Sequence, residues 1–300
     1  MNKESLSIVI PTFNTASMTL ACCRAALAGS LDSAEVIVAD DGSTDGTAEL
    51  LAREEPRVLV VRLEENRGYA VAANRGVAAA TGSIILLLNS DAVISEKTLA
   101  AFLAAFDSDP KLGIAGAQLI DTDGALQWSG GRTPTLPWIA GVVSGAGHLA
   151  SLVRHRPLPS GLRRDVDWVS GAAMAFRRQV WNEAGPLDEG YLFYCQDITF
   201  CLRARNGGWA VSVVSEARVM HGLGATIAGD SSLRQDPERL WVDLLHWGEG
   251  HYGRTWSRFA RVVLTSVAWL RITGRRLRSP FRRDETTARL VRAAKRLWSC

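Results

Sequence analysis

The stretch Ile84-Ile85-Leu86-Leu87-Leu88-Asn89-Ser90-Asp91 decides the predicted fold. Its run of apolar residues is typical of a strand that helices cover on both faces, as in the middle of a parallel sheet. Such sheets bind ligands beyond the carboxyl ends of their strands, so Asn89 and Asp91 are expected to face a polar or cationic ligand. The alternative is that both residues only form the turn after the strand.

Strands alternate with helices on the N-terminal side of this stretch. Residues 6–10, 35–39 and 57–63 have the composition of strands, and residues 19–28 and 70–80 that of helices. Three or four such units in sequence predict a parallel sheet with right-handed crossovers. The first strand is not followed by Gly-x-Gly-x-x-Gly, and the chain has no Gly-Lys-Ser/Thr loop, which argues against dinucleotide-binding and P-loop proteins.

Carboxylates stand at strand ends where a phosphate-binding protein would have glycines. Asp40 and Asp41 follow the second strand, and Asp91 follows the fourth. They would repel a diphosphate unless a divalent cation lay between, so they indicate a nucleotide bound through a metal ion. A solvated acidic turn is the alternative for Asp40 and Asp41.

Length and cysteine usage limit the class of protein. A chain of 300 residues has room for one large α/β domain, with or without an appendage. Its five cysteines show no metal-ligand spacing, which favours reduced thiols in a cytosolic setting. The N-terminus lacks the basic region and apolar core of a secretory signal, so we expect a cytoplasmic protein.

Charge divides the chain into two chemically different regions. The formal net charge is +3, but residues 251–300 contain thirteen Arg and Lys against Asp284 and Glu285. The net charge is therefore +11 for residues 251–300 and −8 for residues 1–250. We expect a separate basic appendage over residues 251–300.

Short motifs run through the chain in a definite order. They are Val9-Ile10-Pro11-Thr12-Phe13-Asn14, Asp40-Asp41-Gly42-Ser43-Thr44-Asp45-Gly46-Thr47, Asn66-Arg67-Gly68-Tyr69-Ala70, Asn74-Arg75-Gly76, Asn89-Ser90-Asp91, Trp168-Val169-Ser170-Gly171-Ala172, Leu187-Asp188-Glu189, Tyr194-Cys195-Gln196-Asp197, Gly208-Trp209 and Val219-Met220-His221. Together, over about residues 5–225, they resemble the family 2 glycosyltransferases, in particular the rhamnosyltransferase-like branch.

The resemblance implies a fold and an activity. The fold is GT-A, an α/β architecture with a mostly parallel central sheet flanked by helices. It implies a catalytic domain over residues 1–250, with a nucleotide-binding half over about 1–120 and an acceptor half over about 121–250. The reaction is transfer of a sugar from a nucleoside-diphosphate donor to an acceptor hydroxyl with inversion, in synthesis of a cell-surface polysaccharide or lipid-linked glycan. dTDP-rhamnose is the first choice of donor, and a UDP-sugar used by a galactofuranosyl- or other hexosyltransferase is the second.

Two departures from the family pattern motivate a rival function. Asn89 stands where the family often has Asp, and Gln196 replaces the first acid of a Glu-Asp pair. The rival is a non-catalytic sugar-nucleotide or membrane-binding protein on a decayed GT-A scaffold. A nucleotidyltransferase is less favoured, because no Gly-rich basic loop for a triphosphate lies near the first strand.

The resemblance also implies site residues. Asp91 and His221 would bind the divalent cofactor, Mn or Mg, which stabilises the charge developing on the leaving diphosphate. For His221 a structural role is the alternative. Asp197 would be the catalytic base, because a direct displacement needs one carboxylate near the acceptor hydroxyl. A helix N-cap is the alternative for Asp197.

The residues expected to bind the nucleotide-sugar donor all belong to the motifs quoted above. They are Pro11, Thr12, Asn14, Asp40, Asp41, Asn66, Arg67, Asn74, Asn89, Trp168, Gly171 and Ala172. By the resemblance, Asp41, with Asp40 as its close rival, would accept hydrogen bonds from the pyrimidine or ribose, and a carboxylate can accept the N–H of a pyrimidine. A surface ion pair is the alternative for Arg67, and core packing is the alternative for Trp168.

Two further segments carry expectations. Residues 132–159 are rich in Gly and Pro and are expected to form a long loop over the site. In residues 254–298, arginines alternate with apolar residues that recur at helical spacing, namely Trp256, Phe259, Ala260, Val263, Val267 and Leu270. This pattern favours helices lying on an anionic membrane surface, where a lipid-linked acceptor would be found. Nucleic-acid binding lacks a recognition motif, and packing against the acidic domain is a third interpretation.

Overall fold

The computed structural model describes residues 5–29, 34–145, 162–222, 236–278 and 285–298. The chain forms two compact units. The first comprises Met1–Arg132, Pro157–Glu189 and Gln196–Thr226, and the second Thr133–Arg156, Gly190–Cys195 and Ile227–Cys300.

The first unit is built on one large sheet. Its described strands are β1 (Leu6–Thr12), β2 (Glu35–Asp40), β3 (Leu59–Arg62), β4 (Ile84–Leu88), β5 (Ala92–Val93), β6 (Leu112–Ile120), β8 (Arg163–Asp165), β10 (Ala173–Arg177) and β11 (Ala210–His221), with β7 (Gly130–Gly131) and β9 (Trp168–Val169) forming a separate ribbon. Its described helices are α1 (Ala16–Gly29), α2 (Thr47–Glu54), α3 (Tyr69–Ala79), α4 (Glu96–Ser108), α6 (Arg178–Ala184) and α7 (Gln196–Asn206).

The predicted central strand lies in the middle of this sheet. The strand order is β3-β2-β1-β4-β10-β6-β11-β5, with β8 beside β11. Strands β3, β2, β1 and β4 are mutually parallel, which confirms the βα units predicted from the sequence. Every residue of β4 is fully buried, as a strand covered on both faces requires.

The second half of the sheet departs from the simple parallel pattern. Strand β10 lies between β4 and β6 and runs antiparallel to both, whereas β11 is parallel to β6. The pairing of β11 with β6 is irregular between Val214 and Arg218, where the register shifts. Beyond this irregularity β11 continues to His221. Its end pairs with β5, which brings His221 opposite Ala92, next to Asp91.

Helix α3 packs closely on the first strands of the sheet. A side chain at Gly76 would overlap Val9 and press on Ala39, so only glycine permits this approach. This contact gives a packing reason for Gly76 in the motif Asn74-Arg75-Gly76.

The second unit is helical where it is described. It contains α5 (Leu136–Ser144), α8 (Pro237–Tyr252), α9 (Arg254–Arg278) and α10 (Glu285–Arg296). Helix α9 packs on α5, α8 and α10. Part of the expected loop over residues 132–159 is therefore the helix α5, and residues 146–161 lie outside the described part.

The buried face of α9 differs from the predicted apolar stripe. The buried residues are Ser257, Ala260, Leu264, Ala268 and Ile272. Of the predicted stripe, Ala260 is buried, but Phe259 and Leu270 are 62% and 74% exposed. None of the described helices combines the length and apolarity needed to cross a bilayer.

Candidate functional site

The carboxyl ends of β1, β2 and β4 meet at one edge of the first unit. The backbone N–H of Asp41 donates to the carbonyl of Thr12 over 2.9 Å, which joins the ends of β1 and β2. The hydroxyl of Thr15 donates to Ser90 over 3.2 Å, which joins this edge to the end of β4. The sheet order therefore brings together the strand-end motifs that are distant in sequence.

The loop after β1 is held mainly by its own polar groups. Thr12 is buried, and its hydroxyl pairs with those of Thr15 and Thr19 at 2.7 and 2.6 Å. Asn14 adopts the left-handed conformation with φ of 52°, and its Oδ1 accepts the N–H of Thr44 over 2.8 Å. Pro11 lies inside β1 and is buried. Of these positions, only Asn14 is exposed.

The two neighbouring aspartates after β2 have different surroundings. Asp40 is fully buried, accepts the N–H of Ser43 over 3.0 Å and lies 3.5 Å from the guanidinium of Arg62. Asp41 accepts the N–H groups of Arg67 and Gly68, both over 2.8 Å. Burial raises the pKa of Asp41, and these two hydrogen bonds oppose the shift. Asp40 thus holds its own turn, and Asp41 holds the loop that contains Arg67.

Asn66 and Arg67 themselves are exposed. Among the described residues, Arg67 makes no ion pair within 4.0 Å, so the structure gives no support to the surface ion pair. Asn74, in contrast, makes side-chain hydrogen bonds. Its Nδ2 donates to the carbonyl of Leu187, and its Oδ1 accepts the N–H of Leu187. Nδ2 also donates to Glu189 over 2.9 Å. Asn74 therefore fastens α3 to the Leu187-Asp188-Glu189 motif.

Asp91 and His221 lie side by side. Nε2 of His221 is 3.4 Å from Oδ1 of Asp91 and 3.3 Å from Nδ2 of Asn89. The Asp91 side chain is only 4% exposed, and its Oδ1 is buried without a hydrogen-bond partner in the structure. A buried carboxylate oxygen without a donor is costly unless a cation or donor satisfies it, so this atom points to a ligand.

Gln127 orients the imidazole of His221. The Gln127 side-chain amide donates from Nε2 to the backbone carbonyl of His221 over 2.7 Å, and its Oε1 lies 2.9 Å from Nδ1. A carbonyl only accepts, so the first contact fixes which end of the amide is nitrogen. Oε1 must then accept from Nδ1–H, so Nε2 carries a lone pair, which lies beside Asp91 and accepts the amide N–H of Asn89.

Gln127 is not among the site residues predicted from the sequence. A single glutamine between β6 and β7 has no motif around it, and its role depends on the register that carries the end of β11 next to it. A histidine at a strand end does call for a partner on its second nitrogen, but the sequence does not say which residue supplies it.

Asp197 is the second residue of α7 and is fixed at both carboxylate oxygens. Its Oδ2 accepts the N–H of Gly171 over 3.0 Å, and its Oδ1 accepts the N–H of Ile198 over 2.8 Å. Burial raises the pKa of Asp197, and the backbone donors oppose the shift. The helix begins before Asp197, so the N-cap alternative is not supported.

A short chain of contacts joins Asp197 to the Asp91 region. The N–H of Asn89 donates to the carbonyl of Ala172 over 3.0 Å, and Ala172 follows Gly171, whose N–H binds Asp197. The hydroxyl of Tyr69 donates to the carbonyl of Gly171 over 3.3 Å. Burial raises the pKa of Tyr69, helped by the nearby charges of Asp197 and Asp91. The end of β4, the Gly171-Ala172 loop and the start of α7 are therefore neighbours, and Tyr69 is close enough to both Asp91 and Asp197 to feel their charges.

Trp168 packs against residues of its own ribbon and its neighbours. Its side chain is buried, its indole N–H donates to the carbonyl of Arg132 over 3.0 Å, and its ring meets Trp128 edge-on at 4.9 Å. These contacts favour the core-packing alternative for Trp168.

Two curated proteins of known function are similar to this chain. The chain is 28% identical to the N-acetylglucosaminyl-diphospho-decaprenol L-rhamnosyltransferase of Mycobacterium tuberculosis over 207 residues, which are 62% of this chain and 66% of the relative. It is 23% identical to the poly-beta-1,6-N-acetyl-D-glucosamine synthase of Staphylococcus aureus over 250 residues, which are 82% of this chain and 54% of that one. The chain thus spans about two thirds of the length of the rhamnosyltransferase and about half of the length of the synthase.

A solved structure shares the fold. The mannosyltransferase PcManGT from Pyrobaculum calidifontis, in complex with GDP-Man and Mn2+, superposes with a TM-score of 0.59 at 18% identity. The alignment covers 100% of this chain and 88% of that one. At this identity the likeness shows the fold alone, and it confirms the GT-A architecture predicted from the sequence.

The family model named "Glycosyl transferase family 2" matches residues 7–182, more than half of the chain. The matched segment contains the strand ends with Asp40, Asp41 and Asp91, and the loop with Gly171. The order of motifs, the GT-A sheet and the family model agree, and the chain belongs to the family 2 glycosyltransferases.

Proposed function

We propose that the chain transfers a sugar from a nucleoside-diphosphate donor to a glycan or lipid-linked acceptor hydroxyl, with inversion at the anomeric carbon. The observation that carries the proposal is the joining of Asp197 to the Asp91–His221 pair through Gly171, Ala172 and Asn89. This arrangement supplies a base and an anionic, histidine-containing pocket within one folded unit.

The Asp91–His221 pair fits a divalent cation. Carboxylate oxygen and imidazole nitrogen both bind Mn, and the unpartnered Oδ1 of Asp91 and the lone pair of His221 Nε2 converge at 3.4 Å. Among the described residues, no group of three or more His, Cys, Asp or Glu lies close enough together to hold a metal ion. Oxygens of the nucleoside-diphosphate sugar would therefore complete the coordination. Bound there, Mn or Mg would stabilise the negative charge that develops on the leaving diphosphate. The Mn2+ complex of the mannosyltransferase neighbour supports this assignment.

Asp197 is proposed as the general base. A single displacement needs one carboxylate to take the proton of the attacking hydroxyl, and no covalent intermediate has to form. The N–H groups of Gly171 and Ile198 hold both oxygens in place, while each oxygen keeps a lone pair for the acceptor. The raised pKa makes the carboxylate a stronger base than an ordinary aspartate.

The donor base and ribose are proposed to bind beside Asp41. Asp41 orders the Arg67-Gly68 turn, and the exposed side chains of Asn14, Asn66 and Arg67 surround this edge. Arg67 carries a guanidinium that a diphosphate would attract. The name of the mycobacterial relative supports L-rhamnose as the sugar and a polyprenyl diphosphate-linked acceptor, hence dTDP-rhamnose as the first donor to test.

We also propose that the chain acts at the cytoplasmic face of the cell membrane, through residues 254–298. The described part of this region is helical and carries arginines beside exposed apolar side chains. A lipid-linked acceptor would be presented at such a surface.

Release of dTDP from dTDP-rhamnose in the presence of a polyprenyl-diphosphate acceptor and Mn tests the proposal. We expect transfer by the wild type and a loss of about 100- to 10,000-fold in kcat for Asp197→Asn. Asp123→Asn, an exposed turn aspartate, is the matched control and should leave transfer unchanged. A wild type that binds donor but never transfers sugar would support the decayed scaffold instead.

A further inference from the structure

Helix α9 presents one long uncharged face to solvent. The residues on this face, all exposed, are Thr255, Phe259, Val262, Ser266, Trp269, Leu270, Thr273 and Leu277. At 100° per residue they fall within a sector of about 100°, which extends along most of the helix. Phe259, Leu270 and Leu277 are 62%, 74% and 78% exposed, which is unusual for large apolar side chains on one stripe.

Arginines of α9 border this face instead of interrupting it. Arg258 and Arg276 lie along one edge of the uncharged sector, and both are exposed. Arg271 lies on the packed face and donates a 2.9 Å hydrogen bond to the carbonyl of Val143. A helix with an outward apolar face and a cationic edge matches the charge pattern of an anionic lipid surface.

A basic cavity opens beside the first turns of this face. Its volume is about 340 Å³, and its lining residues are Glu249, Arg254, Ser257, Arg258, Arg261 and Trp298. Glu249 accepts the Ser257 hydroxyl over 2.7 Å and lies 4.0 Å from the guanidinium of Arg261, which also donates to the carbonyl of Leu297.

Two of the arginines that line the cavity are available to bind a ligand. Arg254 and Arg258 are exposed, and neither forms an ion pair with any residue that the structure describes. They project from the same side of α9, one turn apart, next to Phe259 and the 59% exposed Trp298. Paired cations beside apolar side chains suit a phosphate that is attached to a lipid chain.

We propose that the uncharged face of α9 inserts into an anionic lipid surface and that this cavity binds the phosphate of a lipid headgroup. The proposal deepens the membrane contact in the proposed function and rests on it. Phe259 and Val262 enter the acyl boundary, while Arg254 and Arg258 hold the phosphate at the level of the headgroups. The contact is electrostatic as well as apolar, so it depends on both lipid charge and salt.

Sedimentation with vesicles tests this proposal on the full chain. We expect binding to phosphatidylcholine vesicles that contain phosphatidylglycerol and little binding to pure phosphatidylcholine. Arg254→Gln with Arg258→Gln should weaken binding to the anionic vesicles about 30-fold, because each arginine near the surface contributes to it. Phe259→Ser with Leu270→Ser should abolish binding to the anionic vesicles.

Matched controls come from the first unit. Arg57→Gln removes a comparably exposed arginine, and Leu59→Ser removes a 50% exposed leucine; neither should change sedimentation. Thermal stabilisation by dTDP-rhamnose with Mn, measured on every variant, separates this proposal from the proposed function and reports misfolding.

Two results would overturn the proposal. One is that the wild-type protein sediments with neither kind of vesicle. The other is a wild-type oligomer that Phe259→Ser dissociates while vesicle binding stays unchanged, which would assign the uncharged face to a second copy of the chain.

Discussion

Oε1 of Gln127 lies 2.9 Å from Nδ1 of His221, while the same amide donates to the backbone carbonyl of His221 over 2.7 Å. This double contact sets both the ring orientation and the tautomer, so that Nε2 offers its lone pair toward Asp91. Gln127 is therefore a positioning residue for the proposed metal site and not a ligand itself.

Gln127→Met is expected to weaken Mn binding by about 10- to 100-fold, because the imidazole loses the acceptor that fixes its tautomer. Electron paramagnetic resonance of free Mn in a titration measures this directly, without turnover. Gln179→Met is the matched control, since Gln179 is an exposed residue that bonds only Glu183 within the described contacts. Equal Mn affinity for Gln127→Met and wild type would contradict the role of Gln127.

Asp197 is expected to give transfer an acid limb at unusually high pH. The carboxylate must be ionised to accept a proton, and burial raises its pKa, so activity should fall on acidification before an ordinary aspartate, near pH 4, would titrate. The pH dependence of kcat/KM for dTDP-rhamnose measures this limb. A profile that stays flat down to pH 4 would exclude Asp197 as the base.

Asn74→Ala is expected to lower the free energy of unfolding by about 1–3 kcal/mol. The substitution leaves the backbone N–H and carbonyl of Leu187 without their side-chain partner. Denaturant unfolding measures the change. Asn182→Ala, on an exposed position of α6, is the control and should be neutral or slightly stabilising. If both variants unfold alike, Asn74 does not fasten this loop.

Asp243 is expected to be the main polar anchor of the second unit. Its carboxylate accepts the backbone N–H groups of Leu192, Phe193 and Tyr194 over 2.7 to 2.9 Å, from a position on α8 that is 1% exposed. Asp243→Ala leaves these donors without their acceptor, and we expect a loss of about 2–4 kcal/mol in stability. Thermal unfolding checks it, with the exposed Asp107→Ala as control. A melting temperature within a degree of wild type would contradict the anchor.

The fold was predictable where local sequence carries the signal. The run Ile84 to Leu88 identifies the central strand because burial on both faces demands continuous apolar residues. Strand β10 was not predicted, because its place between β4 and β6 depends on pairing between segments far apart in sequence. The buried face of α9 was also misjudged, since the helix has apolar residues on two faces and only its neighbours decide which one is covered.

The site was predictable in part for the same reason. The positions of Asp41 and Asp91 at the ends of strands can be predicted from the sequence, and so can the position of His221 at the end of β11. The partners that orient these groups, Gln127 for His221 and Gly171 for Asp197, are set by tertiary contacts. No pattern of residue types reports such contacts in a single sequence.

Thermal stabilisation by dTDP-rhamnose, with and without Mn, on wild type and Asp91→Ala tests the central claim most directly. We expect a rise in melting temperature that needs donor and Mn together and is absent in Asp91→Ala. A rise that is equal in Asp91→Ala, or no rise with dTDP-rhamnose or any UDP-sugar, would contradict a metal-dependent donor site at Asp91 and His221.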